Sequence, residues 1–258
     1  MSNPAEPGSL QQETLAAYAD RLAAAEADLS HSLESDGRFP WSEQSRGRAA
    51  AIQKGQTVAD MSAGEDPIHV PGGLVHDWVG ATWIAGGNIA NMLALVQSYD
   101  QHKDIYAPDV IGSSLLSRSG DVFEIYLRLR KKKIKTVVLD TDRHVEYFPV
   151  HERRWDCRSH TTRVAEVENA GKECERVGEP DTGYGYLWRL SSYWRFEELE
   201  GGVSVECRAI SLTRDVPAGL GWIIGPMVKK LPRESLLATL DATRRGYAAR
   251  FGPAPSLP

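Results

Sequence analysis

Val203-Ser-Val-Glu-Cys-Arg-Ala-Ile-Ser-Leu-Thr-Arg214 runs into Asp215-Val-Pro-Ala-Gly-Leu-Gly221, then Trp222-Ile-Ile-Gly-Pro-Met227, then Pro232 and a second helical stretch. The first segment is rich in β-branched residues and reads as a strand. The second carries proline and glycine and reads as an elbow. Pro232 suits the first turn of a helix, and Leu236, Leu240 and Tyr247 recur at helical spacing, with Thr243 filling the gap. Arg244, Arg245 and Arg250 sit near the negative end of that helix's dipole, and Gly252-Pro253 stops it. A long amphipathic helix after a run of strands covers the open face of a curved sheet. That arrangement points to a cavity for a ligand and leaves the ligand unnamed.

The strands preceding this segment read backwards from it. Tyr186 to Glu197 pairs with it around Leu199-Glu-Gly-Gly202, and Asn169 to Tyr184 is a loop. Arg154 to Glu168, Ile134 to about Val150, Val122 to Lys131 and Val110 to Ser117 are further strands, with a turn at Ser119-Gly120-Asp121. In Val122–Lys131, Phe123, Ile125, Leu127 and Leu129 share one face, and Glu124, Tyr126, Arg128 and Arg130 share the other. Before them, a strand over Leu74–Ile84 turns at Ala85-Gly86-Gly87. Asn88 then caps a helix over Ile89–Tyr99, a shorter helix covers Asp100–Tyr106, and Pro108 ends it. Short turns between successive strands imply an antiparallel sheet.

The N-terminal part is helical. Ser9-Leu-Gln-Gln12 has the form of a capping box, and Leu15, Tyr18, Leu22, Leu29 and Leu33 recur at helical spacing. Asp36-Gly37 stops this helix, Phe39-Pro40-Trp41 reads as an extended anchor, and Ser42 to Lys54 is a shorter helix ended by Gly55. Residues 63–73 read as a linker. The expected division is an extension over 1–70, a main domain over 73–251 and a tail over 252–258. The extension braces the main domain, or presents residues 10–54 to a partner or a second copy.

Composition narrows the function classes. The 258 residues are 41% hydrophobic and 25% charged, enough for an ordinary core without disulfides or metals. The net charge of -5 gives no reason to expect nucleic acid as a partner. No apolar run reaches the roughly 20 residues of a membrane helix. Without a basic, then apolar, leader the chain as it stands reads as cytoplasmic, or periplasmic if a native leader has been removed. Three cysteines make no disulfide framework. Cys157 and Cys207 lie in strands and read as small buried hydrophobes; Cys157 and His160, three apart, point to opposite faces. No P-loop, G-x-S-x-G, H-E-x-x-H or C-x-x-C is present, and Gly219-Leu-Gly221 lacks the third glycine of a dinucleotide fingerprint.

The order strand, two helices, six strands, long helix resembles the helix-grip arrangement of the START-like superfamily, also called SRPBCC or Bet v 1-like. The resemblance spans about Gly73 to Phe251. Its carriers are I-A-G-G-N-I-A-N-M-L-A-L-V-Q-S-Y-D, H-K-D-I-Y-A-P-D-V-I-G-S-S-L-L and W-R-F-E-E-L-E-G-G-V-S-V-E-C-R-A-I-S-L-T-R-D-V-P-A-G-L-G-W-I-I-G-P. The last is similar to a group of uncharacterised bacterial members. The resemblance implies an α+β fold: a curved antiparallel sheet of about seven strands around a long C-terminal helix, here with an N-terminal helical extension. It implies a cavity for lipids, sterols, polyketides, quinones or other apolar molecules. Some members are enzymes, among them polyketide cyclases and oxygenase subunits with an iron site of two histidines and a carboxylate. That ligand spacing is absent here, so no metal or cofactor is assigned.

The expected partner is a small apolar or amphipathic ligand. Its wall is read as Tyr106, Leu127, Leu129, Tyr186, Trp188, Leu190, Trp194, Val205, Cys207, Leu236, Leu240 and Tyr247. In the strand Tyr186–Phe196, Tyr186, Trp188, Leu190, Ser192, Trp194 and Phe196 are expected on one face, and Arg189, Ser191, Tyr193 and Arg195 on the other. A cyclase, dehydratase or hydrolase of the same fold is the alternative; it needs polar groups such as His160, Arg163 or Arg189 inside the cavity. Asp140, Asp142 and His144 share a face and could hold a metal, though such alternation more often marks the solvent side of a sheet. Asp100, His102 and Tyr106 are expected at the rim of the cavity. Arg128–Lys135 is a basic hairpin, read as a solubilising edge or as a peripheral membrane contact.

Overall fold

The computed structural model describes residues 8–34, 41–62, 64–132, 136–215 and 221–252, with side chains throughout except at 30–34 and 221–229. The expected stop at Asp36-Gly37, the Phe39-Pro40 anchor, Lys133–Lys135, most of the elbow before Gly221 and nearly all of the tail lie outside the described residues.

In chain order the elements are β1 (Gly8–Ser9), α1 (Gln12–Glu34), a 3-10 turn (Trp41–Gln44), α2 (Arg46–Gln53), β2 (Val58–Met61), β3 (Ile68–Val70), β4 (Gly73–Ala85) and α3 (Ile89–Val96). A 3-10 turn at Tyr99–Gln101 leads into α4 (His102–Ile105). Then come β5 (Val110–Ser119), β6 (Val122–Lys132), β7 (Thr136–His151), β8 (Arg154–Glu168), β9 (Arg176–Val177), β10 (Thr182–Gly183), β11 (Arg189–Leu199), β12 (Gly202–Arg214) and α5 (Gly221–Phe251).

The main sheet is antiparallel, in the order β2-β4-β12-β11-β8-β7-β6-β5, with β3 also on β4 and β9 on β8. This is the helix-grip fold: an α+β architecture whose long C-terminal helix lies across a large antiparallel sheet. The sheet has ten strands, not about seven. The surplus is the short β2, β3 and β9, contributed by the segment before β4 and the loop after β8. Those backbones satisfy their hydrogen bonds on the edge of β4 and the end of β8.

The two faces of the sheet are covered by different elements. On the concave face Val203, Val205 and Cys207 of β12 join Phe123, Ile125 and Leu127 of β6 in one cluster with Leu236, Leu240 and Tyr247 of α5. On the convex face Ile210 and Leu212 of β12 pack with Val75 of β4 against Tyr18 and Ala25 of α1. Polar contacts hold α1 there. Tyr18 donates its hydroxyl to the Ile210 carbonyl (2.8 Å), and Tyr193 donates to Glu26 (2.9 Å). Arg208 grips Asp77 with two bonds and reaches Asp28 at 3.6 Å. With both faces covered, β4 is buried along almost its whole length, whereas an antiparallel sheet commonly leaves one face wet.

α5 crosses β4 where the strand has no side chain. A Cβ on Gly80 would lie 2.8 Å from the Val58 carbonyl oxygen and 2.9 Å from Leu240 Cδ1. The helix is also strapped from outside: Thr57 donates to Asp241 (2.5 Å), and Arg244 donates to the Gly55 carbonyl.

Several elements differ from their sequence-based expectation, among them the helix read over Asp100–Tyr106, which is a 3-10 turn followed by α4. α5 is one helix from Gly221 to Phe251 rather than two runs split at Pro232, because a proline removes one backbone bond without ending a helix held on both sides of it. α3 stops at Val96 instead of Tyr99: the Ser98 hydroxyl donates back to the Leu95 carbonyl and competes with the helical ladder. The run Ser42–Lys54 divides into the 3-10 turn and α2, with Ser45 as the cap accepting from Arg48 N–H. β11 starts at Arg189, not Tyr186.

Candidate functional site

α3, the two turns after it and α5 close over the concave face. Asn88 caps α3 by accepting from Asn91 N–H (2.8 Å), and Glu198 accepts from Ile89 N–H (2.8 Å) at the positive end of the helix. α3 thereby brings Met92, Leu95 and Val96 into the cluster, and the following turn brings Tyr99. Further on, Tyr106 donates to Thr243 of α5 (3.2 Å), whose own hydroxyl is committed to the Thr239 carbonyl (3.0 Å). The helices and the sheet wall are thus tied by polar groups that face an otherwise apolar interior.

Arg143 is the group that does not belong there. It stands on β7 in phase with Val145 and Tyr147, both in the cluster beneath α5, and it is 7% exposed. Its Nε donates to Ser159 Oγ at 3.0 Å and one terminal nitrogen to Ser192 Oγ at 3.5 Å. Trp194 Nε1 donates to that same Ser192 oxygen at 3.2 Å. Among the described residues no carboxylate lies within ion-pair distance of the guanidinium. Its surroundings are Tyr99 and the thiols of Cys157 and Cys207, and burial pushes its pKa down. Arginine nevertheless keeps its proton in proteins, so a buried cation rests on neutral hydroxyls. Opposite Arg143 the β7–β8 register shifts by one residue, Asp142 facing Arg163 and Arg143 facing Thr161. A bulge of this kind re-aims side chains beside a site.

The neighbouring groups are all neutral near pH 7. Tyr99 and Tyr147 lie hydroxyl to hydroxyl at 3.0 Å, and burial raises both phenols well above their ordinary range. Tyr106 is pushed up to about 12 by the same cause. Burial lifts the Cys157 and Cys207 thiols too, so neither is a thiolate nucleophile. His102 is pushed down to about 4 by burial; its Nε2 donates to the Val96 carbonyl at 3.0 Å, between the rings of Tyr99 and Tyr106. One permanent cation surrounded by neutral donors is equipped to hold an oxygen anion or a strongly accepting oxygen.

Most of the residues read from sequence as a cavity wall meet in this cluster. Leu127, Leu129, Trp194, Val205, Cys207, Leu236, Leu240, Tyr247 and Tyr106 all belong to it or pack on it. Leu190 follows Arg189 at the start of β11 and is partly buried. Tyr186 and Trp188 lie elsewhere, because they precede the strand. Trp188 packs on the convex side with Tyr18, Val75 and Leu212, and Tyr186 is 41% exposed.

The polar candidates are not brought into the interior cluster; His144 and His160 instead lie ring to ring at 5.2 Å. His160 stands opposite Ser191, whose hydroxyl is 3.2 Å from that of Tyr18 in α1, so it is on the convex face. Arg163 faces Asp142 at 3.8 Å, and Arg189 is held by two bonds to Asp181 (2.5 and 2.9 Å). Asp140 accepts from Arg128 and Tyr126, and His144 pairs with Glu124. Of the basic run, Arg128 is also engaged by Glu175, and Lys131 by Asp109. Asp100 accepts from Leu115 N–H (2.9 Å) and pins β5. A surface cleft of about 390 Å³ lies on the other side of the sheet, among Ser42, Ile52, Trp83 and Leu199.

No known family's sequence profile matches the chain, and no curated protein matches it in sequence. Among solved structures it is similar to a STAR-related lipid transfer protein fragment from Xanthomonas axonopodis: 16% identity, 74% of this chain and 98% of that one, TM-score 0.47. It is similar to the Zhui aromatase/cyclase from a Streptomyces species: 10% identity, 71% and 99% covered, TM-score 0.44. It is also similar to human STARD10, at 10% identity, 80% of each chain and TM-score 0.40. The START-like, helix-grip architecture is read from this chain's own element order and register. Similarity at these levels leaves function to its own residues.

Arg143 was missed in the sequence, yet its signal is there. Leu139, Thr141, Arg143, Val145 and Tyr147 alternate with Asp140, Asp142, His144 and Glu146. A charge in phase with the apolar set marks a buried cation.

Proposed function

We propose that the protein binds an amphipathic small molecule between the concave sheet face and α5, with an acidic oxygen group of the ligand on Arg143. The observation that carries this reading is the buried guanidinium whose hydrogen-bond partners, among the described residues, are serine hydroxyls. An uncompensated charge in an apolar interior is costly: removing one partner of a buried ion pair typically costs about 3–5 kcal/mol. An anionic group delivered by a ligand supplies the missing partner, while the leucines, valines and aromatics of the cluster take the apolar body. The phenols of Tyr99 and Tyr147, both held protonated, keep a neutral polar surface beside it. Binding, for transport or sequestration, accounts for every one of these groups without a reaction step.

The test is native mass spectrometry of delipidated protein after incubation with a cell extract. The expected result is a bound species that is released as an anion. Protein that stays at its polypeptide mass in such extracts contradicts the reading.

A further inference from the structure

Among the described residues, three buried polar atoms on the concave side of β4 and β12 have no hydrogen-bond partner: His76 Nε2, Trp78 Nε1 and Thr213 Oγ1. Buried polar groups are partnered in the large majority of cases, because an unmet one forfeits its hydration with nothing in return. His76 stands between the other two. In the β4–β12 register Leu74 faces Thr213, His76 faces Ser211 and Trp78 faces Ala209, so His76 stands diagonal to Thr213 and two residues from Trp78. His76 and Trp78 lie on one face of β4, and Trp78 is part of the cluster beneath α5.

His76 is fully buried, and its Nδ1 lies 3.1 Å from Oδ1 of Asp66, itself 2% exposed. A carboxylate oxygen accepts, so Nδ1–H donates to Asp66, and in the neutral ring this leaves Nε2 as a lone-pair acceptor. The Trp78 indole N–H only donates, and the Thr213 hydroxyl does either. The acceptor of His76 and the donor of Trp78, two residues apart on one face, complement a group that itself gives one proton and accepts another.

We propose that His76 and Trp78 form a subsite for a hydroxyl group of the ligand, the hydroxyl donating to His76 Nε2 and accepting from Trp78 Nε1–H, with Asp66 as the positioning residue. β4 and β7 are four strand spacings apart, roughly 19 Å along the sheet. The subsite is therefore separate from Arg143, and the two together select a hydroxylated acid. The inference rests on the reading of the concave interior as a ligand site.

Displacement of a bound apolar dye by 1-dodecanol and by its methyl ether tests it. The ether keeps the chain and the oxygen and loses the proton. Wild type is expected to bind the alcohol about tenfold more tightly than the ether, and His76→Phe to bring the two to parity. Equal binding of both by wild type, or a preference that survives His76→Phe, overturns the hydroxyl subsite and leaves the interior ligand site standing. Displacement by neither overturns both. Should His76→Phe not fold, proton–nitrogen correlation spectra of wild type decide instead. They are expected to show His76 protonated on Nδ1 with a bare Nε2 whose resonance moves as dodecanol saturates the protein. A protonated Nε2, or one that stays put, overturns the proposal.

Discussion

Arg143 and His102 show opposite ways of keeping an ionisable group inside an apolar cluster. His102 gives up its charge: burial holds its pKa at about 4, and the neutral ring spends one nitrogen on the Val96 carbonyl. Arg143 cannot do so and keeps its charge against two hydroxyls. Replacing a buried charged cluster by apolar residues of similar volume is often neutral or stabilising, by about 1–4 kcal/mol. Arg143→Met is accordingly expected to leave the ligand-free protein as stable as wild type or more so in urea; a loss of more than about 2 kcal/mol would mean that the guanidinium holds the fold. For His102 the folded pKa lies below the ordinary 6.5. Its contribution is fully present above pH 6.5 and is lost as pH falls toward 4, because the unfolded chain takes up the proton first. A shift of this size corresponds to about 3 kcal/mol. Urea melts from pH 7 to 4 are expected to show a shallower decline for His102→Gln than for wild type; parallel declines would remove His102 as a source of acid sensitivity. At this scale the sequence was legible only in part. The alternation of β7 carried Arg143's inward direction, but nothing local said that its partners on β8 and β11 would be serines.

Among the elements, α5 and β4 decide the grip. The helix stripe Leu236, Leu240, Thr243 and Tyr247 is buried, as its spacing implied. What the spacing could not give is where the helix crosses the sheet. Gly80 marks that place, because a strand glycine permits close approach of another backbone or side chain. Gly80→Val is expected to cost about 1–3 kcal/mol, the usual range for overpacking, seen as a lower urea midpoint with an unchanged slope. Wild-type stability in that variant would show that α5 does not bear on β4 there. β11 illustrates the reverse failure. Its alternation was extended through Tyr186 and Trp188, but Trp188 N–H donates to the Leu212 carbonyl before the strand begins, and its ring goes to the convex side. Periodicity carries a face assignment only while the chain is still a strand, and the start of a strand is set by pairing with β12 and β8, which a local pattern does not contain.

For the molecule as a whole, the order of long strands and helices was readable because each has a strong period and a clear turn between. The short β2, β3 and β9 were not, since two to four residues carry no period. Their pairing depends on β4 and β8 being already in place. The second covered face was equally hidden: Tyr18 and Tyr193 look like ordinary amphipathic residues until α1 and β11 meet. The result is a sheet with α1 outside and α5 inside, and on the inner side Arg143 has no carboxylate partner among the described residues. Competition between palmitate and hexadecanol for that interior tests this most directly, measured by dye displacement on wild type and Arg143→Met. The two ligands share a chain and differ in the anionic head. Wild type is expected to prefer palmitate by about tenfold or more, about 1.4 kcal/mol, and Arg143→Met to lose that preference while still binding hexadecanol. Equal affinities in wild type, or a palmitate preference untouched by Arg143→Met, would contradict the account.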